Sequence, residues 1–333
     1  MPRLAGSRLV VTCLVCGGLL ASGVAGCGTT QTDPLQVTSN PVAAAPASSP
    51  PQAPALPGTV LPAPPAELTA HDPASGVLGL AHGPSVTLLD TRTGAAPRTV
   101  ALAAPAAQLR PDAPGHLLAA LPDADQLADI DVRTGAVTTT PVAGGPTDAV
   151  RSGDQLAVAL RSDHSLTFLP SGRKTPGFED ARLFPAGPEV LVLDRVHTSV
   201  TPVRTDTGEK QAALRAGQGA TNGVLDRYGR LLAVDTRSQQ LLAFSTGEPL
   251  VLKQRYPTPG GPYGLAYDPT RDLAWVSLTG TNEVVGYDVA GGEPQERYRF
   301  PTVQQPDAVS VDPASGQVLV ASATGAGVQV VRP

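Results

Sequence analysis

Four polar residues stand at or just before the start of short apolar strands, and their oxygen atoms could bind a ligand. They are Asp148, Asn222, Tyr263 and Asp307. If the strands converge, these side chains form a site for a small polar molecule or for Ca²⁺, which prefers carboxylate and amide oxygens. The alternative is that they only accept hydrogen bonds from nearby backbone amides. The sequence allows both, and it identifies no other cofactor.

Five basic residues form a second candidate site, which would suit a macromolecular partner. They are Arg161, His164, Arg195, His197 and Arg237, and each stands near the end of an apolar segment. If they lie side by side, they form a basic sector that attracts an anionic partner, such as an acidic protein surface or an anionic cell-wall polymer. The neighbouring residues Asp163, Asp194 and Asp235 would instead neutralise this sector if they form local ion pairs.

Catalytic motifs are absent from the sequence. His82, His164 and His197 are far apart, and no His-x-x-x-His or Glu-x-x-His spacing that would suit a zinc site occurs. There is no Gly-x-Ser-x-Gly elbow and no phosphate-binding loop. We therefore expect a protein that binds rather than catalyses, and we predict no specific metal site.

These candidate residues sit in a repeated pattern of turns and strands. An Asp-Pro turn recurs at Asp72, Asp268 and Asp312, followed each time by two apolar strands and a Thr-Gly or Gly-Gly turn. The units begin near Ala66, Pro105, Pro146, Asp180, Gly219, Gly261 and Gln305. A period of about 40 residues with four short strands is typical of propeller blades. The pattern predicts an all-β, seven-bladed β-propeller with four antiparallel strands per blade. A pair of β-sandwiches is the alternative, but it does not explain the fixed order of turns.

The last unit has residues for three strands only. A propeller leaves no open edge, so another segment must supply the fourth strand. The run Thr59-Val60-Leu61 is the nearest strand-like segment before the first unit. We predict that it closes the ring, and that the propeller spans residues 56–333.

The N-terminal segment resembles the export signal of bacterial lipoproteins. Arg3 and Arg8 precede an apolar stretch that is too short to span a bilayer, and Val24-Ala25-Gly26-Cys27 resembles a lipobox. The resemblance implies that residues 1–26 are removed, that Cys27 carries lipid, and that the protein is anchored at the outer face of the cell membrane. Residues 27–55, rich in Pro, Ala and Ser, are predicted to form a disordered tether.

Removal of the signal would leave Cys27 as the last cysteine, so we expect no disulfides. The mature chain would carry 22 basic and 29 acidic side chains, a formal charge of −7. An acidic domain without runs of Lys or Arg argues against binding to nucleic acid. The Ala, Gly, Pro and Arg content suggests a GC-rich, actinobacterial genome.

The sixth unit resembles the YVTN-type β-propeller repeat. It reads G-P-Y-G-L-A-Y-D-P over residues 261–269, L-A-W-V-S-L over 273–278 and T-N-E-V-V-G-Y-D-V over 281–289. The resemblance is weaker in the other units. It implies the propeller fold over the whole domain, whereas such propellers host many functions.

These observations predict a monomeric, membrane-anchored, extracytoplasmic lipoprotein that acts as a non-catalytic binding module at the cell envelope. Its partners would be the membrane, through the lipid on Cys27, and an envelope protein or anionic wall polymer. The alternatives are an enzyme of the lactonase or quinoprotein-dehydrogenase type, and a propeller that binds a metal or small ligand at its channel mouth.

Overall fold

A computed structural model describes residues 41–93 and 95–333, and all of these belong to one compact unit. The signal segment and Cys27 lie outside the described residues.

The first two complete blades follow one another along the chain. Blade 1 is β2 (Leu68–Asp72), β3 (Val77–His82), β4 (Ser85–Asp90) and β5 (Arg98–Ala101); blade 2 is β6 (Gln108–Pro111), β7 (His116–Leu121), β8 (Gln126–Asp131) and β9 (Val137–Pro141).

The next two blades repeat the arrangement. Blade 3 is β10 (Pro146–Ser152), β11 (Gln155–Leu160), β12 (Ser165–Leu169) and β13 (Arg173–Pro176); blade 4 is β14 (Ala181–Ala186), β15 (Glu189–Asp194), β16 (Ser199–Arg204) and β17 (Leu214–Arg215). A 3₁₀ turn at Pro122–Ala124 interrupts blade 2 between its second and third strands.

The last three blades complete the ring. Blade 5 is β18 (Ala220–Leu225), β19 (Arg230–Asp235), β20 (Gln240–Ser245) and β21 (Val251–Pro257); blade 6 is β22 (Pro262–Asp268), β23 (Leu273–Leu278), β24 (Glu283–Asp288) and β25 (Gln295–Pro301). Blade 7 combines β26 (Ala308–Asp312), β27 (Gln317–Ala321) and β28 (Val328–Val331) with β1 (Thr59–Leu61). The predicted all-β, seven-bladed propeller with four antiparallel strands per blade is confirmed.

The first strand of each blade is innermost. These strands contact one another in order around the ring, and β26 contacts β2 across the point where the ring closes. The second and third strands are apolar on both faces, because each blade is sandwiched between two neighbours. One apolar cluster joins blades 6 and 7 around the fully buried Trp275, which stacks on Tyr298 with ring centres 5.7 Å apart.

The Asp-Pro turns have the structural role that the sequence indicates. The carboxylate of Asp72 accepts hydrogen bonds from the amides of Ala74 and Ser75, and Asp268 accepts from Thr270 and Arg271 in the same way. These bonds fix the chain reversal between the first and second strands. The Asp-Pro turns are therefore parts of the scaffold.

Blade 7 is completed by β1, which pairs antiparallel with β28. The side chain of Gln329, on β28, is fully buried; its Nε2 donates to the carbonyls of Pro57 and Pro301, and its Oε1 accepts from the amide of Val303. One amide group thus joins the segment before β1 to the end of blade 6. The ring is closed by main-chain pairing and by this buried side chain together.

Residues 42–52, here called the strap, lie on blades 5, 6 and 7. They are part of residues 27–55, for which the sequence predicts a tether. Ala47 donates its amide to Thr279 Oγ1, Asn282 Nδ2 donates to the carbonyl of Pro50, and Arg237 donates to the carbonyl of Val42. Proline-rich extended chain leaves its backbone groups free, so polar side chains of the propeller can bind them. Composition alone does not reveal such partners.

Within the part of the chain that the structure describes, no helix has the length and apolar character needed to cross a bilayer.

Ring closure generates the first prediction. Gly58 has φ +78°, and a Cβ there would lie 2.0 Å from the carbonyl oxygen of Val330. Gly58→Ala should therefore destabilise the protein by the left-handed backbone cost of about 1–2 kcal/mol plus about 1–3 kcal/mol of overpacking. Gly172→Ala is the matched control, because Gly172 has φ +69° and open space around it. Urea unfolding of the two variants measures the difference. Equal destabilisation would contradict the importance of the β1–β28 contact.

Candidate functional site

A cavity of about 300 Å³ opens in the central channel of the ring. It is lined by the innermost strands of six blades and by Arg195, which follows β15. Its charged and phenolic lining groups are Glu67, Arg110, Arg182, Arg195, Tyr263, Tyr267 and Asp307. The volume is at the lower end of the range for small-molecule sites.

Three of the four residues predicted for the channel mouth lie on this cavity. Asn222, Tyr263 and Asp307 line it, on β18, on β22 and just before β26. Asn222 Nδ2 donates a 2.9 Å hydrogen bond to the carbonyl of Tyr263, which joins blades 5 and 6 at this point. Burial raises the pKa of the Tyr263 phenol, so this group remains a hydrogen-bond donor at neutral pH.

Asp148 is the exception among the four. It is fully buried and does not line the cavity. Its two oxygens accept bidentate hydrogen bonds of 2.6 and 2.5 Å from Arg110, and they also accept from the amides of Ala149 and Leu183. Asp148 therefore joins blades 2, 3 and 4, and its charge is neutralised within the wall. Arg110, which sequence analysis did not identify, is the residue that reaches the cavity.

Asp307 connects the cavity to the strap through one intermediate residue. Gln305 Nε2 donates to Asp307 Oδ1 at 2.7 Å and to the carbonyl of Ala47 at 3.0 Å, and Gln305 Oε1 accepts from the amide of Ser49. Asp307 is only 7% exposed, and burial raises its pKa to about 6, against the lowering effect of the Gln305 hydrogen bond. A buried carboxyl group whose pKa lies close to neutral pH is thus connected to the strap through Gln305.

Arg182 and Arg195 share a single carboxylate. Arg182 Nη1 lies 3.6 Å from Asp180 Oδ1, and Arg195 Nη1 lies 3.3 Å from Asp180 Oδ2. The Nε atoms of both arginines are buried and have no hydrogen-bond partner. Burial and then the charge of Arg195 lower the pKa of Arg182. This side of the cavity holds more positive charge than its acidic neighbour balances.

The five residues of the predicted basic sector do not act as a set. Arg195 belongs to the channel, and the remaining four each have a local partner. Arg161 pairs with Asp123, His164 with Glu179, His197 with Asp194, and Arg237 donates to the carbonyls of Gln218 and Val42. The expected neutralisation by neighbouring acids is present for His197. Asp163 pairs with Lys174 instead, and Asp235 accepts from the amides of Gln218, Gly219 and Ser238.

In each of blades 2 to 6, the residue just before the third strand has a left-handed backbone conformation. These residues are Asp125, His164, Thr198, Gln239 and Asn282, and all have φ between 50° and 53°. Asp125 accepts from the amides of Gly144 and Gly145, and Asn282 Oδ1 accepts from the amide of Gln305. These side chains hold the start of the next blade. Asp125 and Asn282 therefore have a structural role, because they accept hydrogen bonds from backbone amides.

Calcium at the four predicted residues stays a prediction, and the two predicted carboxylates have different surroundings. Asp148 is bound to Arg110, and the remaining members supply a single carboxylate, that of Asp307. Among residues 41–93 and 95–333, no group of three or more His, Cys, Asp or Glu side chains is arranged to hold a metal ion.

Sequence reasoning missed several cavity residues. Arg110 and Arg182 each lie within an innermost strand, and a positive charge in an innermost strand is the signal that could have identified them. His71, which directly precedes the turn at Asp72, also lines the cavity. It is 6% exposed, neither ring nitrogen has a partner, and burial lowers its pKa.

Comparisons with known proteins establish the fold alone. No protein-family model matches the sequence, and no curated protein matches it. A chain in the crystal structure of the mitotic checkpoint complex matches with a TM-score of 0.71 and 11% identity, over 87% of this chain and 96% of that one.

Two further similar structures are enzymes by their names. Hydrazine synthase of Kuenenia stuttgartiensis matches with a TM-score of 0.65 and 17% identity, over 83% of this chain and 97% of the other. Streptogramin B lyase matches with a TM-score of 0.65 and 14% identity, over 83% and 96%. At such identities these similarities establish the β-propeller fold alone.

The raised pKa of Asp307 generates a prediction about stability and pH. Its pKa is about 6 in the folded protein and near 3.8 when exposed, so the fold favours the neutral form. The resulting stabilisation is full below pH 4 and is lost as the pH rises through 6. Asp307→Asn, which is always neutral, should match the wild type at pH 4 and exceed its free energy of unfolding at pH 7.5 by at most about 3 kcal/mol.

Asp123→Asn is the control for this experiment, because that carboxylate is exposed at the rim. It should change the free energy of unfolding by less than about 0.5 kcal/mol at either pH. Denaturation curves at the two pH values provide the comparison. A loss of stability in Asp307→Asn at pH 7.5 would show that the carboxylate is needed in its charged form.

Proposed function

We propose that this protein is a non-catalytic binding propeller, held at the extracytoplasmic face of the cell membrane by lipid on Cys27, that takes a small polar ligand at the mouth of its central channel. The observation that carries the proposal is the charged cavity, in which the buried Arg182 and the partly buried Arg195 share one carboxylate. Charged groups that are buried without full pairing are costly, and they concentrate at binding and catalytic sites.

The channel mouth is favoured over the basic sector as the binding site. Arg161, His164 and His197 each face a nearby carboxylate, which leaves Arg237, bonded to backbone carbonyls, as the one member of the four without a carboxylate partner among the described residues. The three cavity residues that were also expected from the sequence, Asn222, Tyr263 and Asp307, come from three different blades. Convergence of several blades on one small volume is the usual way in which a rigid ring builds a binding site.

An enzyme of the lactonase or quinoprotein-dehydrogenase type is the second candidate. His71, buried in the cavity wall without a hydrogen-bond partner, is the observation that favours it, because a neutral imidazole is a proton acceptor. The similar folds of streptogramin B lyase and hydrazine synthase are compatible with an enzyme. A turnover screen with lactone and sugar substrates, repeated with His71→Gln, would detect such activity.

The anchoring proposal predicts a single essential cysteine. Cys27→Ser should lose palmitate labelling and no longer be lipid-anchored in the membrane, because the thiol is the proposed site of lipid attachment. Cys16→Ser is the matched control, since Cys16 lies in the segment that would be removed. Labelling of cells followed by fractionation measures both. Labelling that persists in Cys27→Ser, or disappears in Cys16→Ser, would contradict the proposal.

The choice between the two surfaces has its own test. Full-length protein is isolated from its own membranes, and small molecules released by heat are identified by mass spectrometry. We expect a released compound that is lost in Asn222→Ala/Tyr263→Phe and retained in Arg161→Ala/His164→Ala. The opposite pattern would assign binding to the outer rim, and retention in both variants would exclude both surfaces.

A further inference from the structure

The charges around the cavity are arranged with opposite signs on opposite parts of the ring. Arg182 and Arg195 belong to blade 4, whereas Glu67 precedes β2 of blade 1 and Asp307 precedes β26 of blade 7. Tyr263 of blade 6 lies within electrostatic range of all four charged groups. A ligand in this cavity therefore meets cations on one part of the wall and carboxylates on another.

The arginine side is built to accept a carboxylate. Arg182 is 9% exposed, and its Nε is buried without a partner; the Nε of Arg195 is also unpartnered. Their bonds to Asp180, at 3.6 and 3.3 Å, are longer than the 2.7–2.9 Å of a strong charge-assisted pair. Two guanidinium groups against one carboxylate leave one positive charge, which a monoanion would balance.

The positive charge of Arg110, which lines the same cavity, is fully balanced by one carboxylate. Arg110 makes two bonds to Asp148, of 2.6 and 2.5 Å, and its guanidinium carbon lies 5.4 Å from the centre of the Phe184 ring. The incomplete pairing of Arg182 and Arg195 is therefore specific to them, because the chain pairs a neighbouring arginine fully.

The acidic side favours a cation. Glu67 is exposed at the mouth, and Asp307 has its Oδ1 occupied by Gln305. A polyanion such as a phosphate ester would be repelled by these two groups, whereas a protonated amine would be attracted. Apolar residues, Leu109 and Val224 among them, line the space between the two sides and suit an aliphatic backbone.

We infer that the channel mouth binds a small zwitterion of the size of an amino acid, with its carboxylate on Arg182 and Arg195 and its ammonium group toward Glu67 and Asp307. This inference rests on the proposed function, because it assigns a ligand class to the same site. The cavity volume of about 300 Å³ limits the ligand to a small molecule.

Calorimetric titration of the full-length protein with matched probes tests this inference. Glycine, 4-aminobutyrate and 6-aminohexanoate vary the distance between the two charges, while butanoate, butylamine and phosphate each supply one kind of charge. We expect one of the three zwitterions to bind roughly tenfold or more tightly than any of the singly functional probes. Equal binding of butanoate or phosphate, or no binding of any zwitterion, would overturn the zwitterion assignment.

Variants then locate the two charges of the bound probe. Arg182→Gln or Arg195→Gln should weaken binding roughly 30-fold or more, because a buried ion pair loses its partner. Glu67→Gln should weaken binding of the zwitterion but should not weaken that of butanoate, which has no ammonium group. Arg161→Ala, which removes a rim charge, is the control and should leave both affinities unchanged. Insensitivity to both channel arginines would refute the placement of the carboxylate.

A stability measurement separates a ligand site from a structural ion pair. Arg182→Met should keep or raise the melting temperature, because it removes an incompletely paired buried charge, and Arg110→Met should lower it by leaving Asp148 buried and unpaired. A similar loss in both variants would mean that Arg182 holds the fold together. If the compound released from the native protein proves neutral or polyanionic but still depends on Asn222 and Tyr263, the zwitterion fails while the channel-mouth function stands.

Discussion

Closure of the ring is the constraint on which the rest of this structure depends. Each innermost strand touches the next, and the last blade is complete only when β1 pairs with β28. The buried amide of Gln329 holds the chain before β1 against the end of blade 6. Because β1 and β28, which are distant in the sequence, meet in one blade, local separation at this position exposes the apolar faces of blades 1, 6 and 7. The positions of all cavity groups follow from that closed geometry.

The rigid ring also explains how incompletely paired charges can persist inside the channel. Arg110 and Asp148 form a bidentate pair across adjacent blades, whereas Arg182 and Arg195 divide one carboxylate between them. Burying a charge without a full partner lowers the free energy of unfolding. The large apolar interfaces between blades offset that loss. The strap adds a further connection, since Gln305 contacts both the strap and Asp307. Gln305 therefore connects the proposed binding site to the segment that leads toward the proposed anchor.

The sequence was sufficient for the architecture because the scaffold is local and repeated. Asp-Pro turns, apolar strands and the spare strand around Val60 can be read without knowledge of contacts. The site was only partly predictable. Asn222, Tyr263 and Asp307 were found because they precede or begin strands, but the same rule placed Asp148 on the cavity, where Arg110 stands instead.

Contacts between distant segments account for what sequence reasoning missed. The strap binds polar groups more than 190 residues away, including Arg237, so its order has no signature in composition. The sequence groups Arg195 with the basic sector, but its side chain lines the channel cavity. Arg161, His164 and Arg237 likewise bind partners from other loops, whereas the partner of His197 is Asp194, three residues away. The YVTN repeat type and the lipoprotein signal stay predictions.

A crystal structure of the full-length protein grown with the tightest-binding amino carboxylate tests the central claim most directly. The account predicts that the carboxylate lies between the guanidinium groups of Arg182 and Arg195, with the ammonium group on the side of Glu67 and Asp307. An empty channel at saturating concentration, a reversed orientation, or a ligand bound on the outer rim near Arg161 would contradict it.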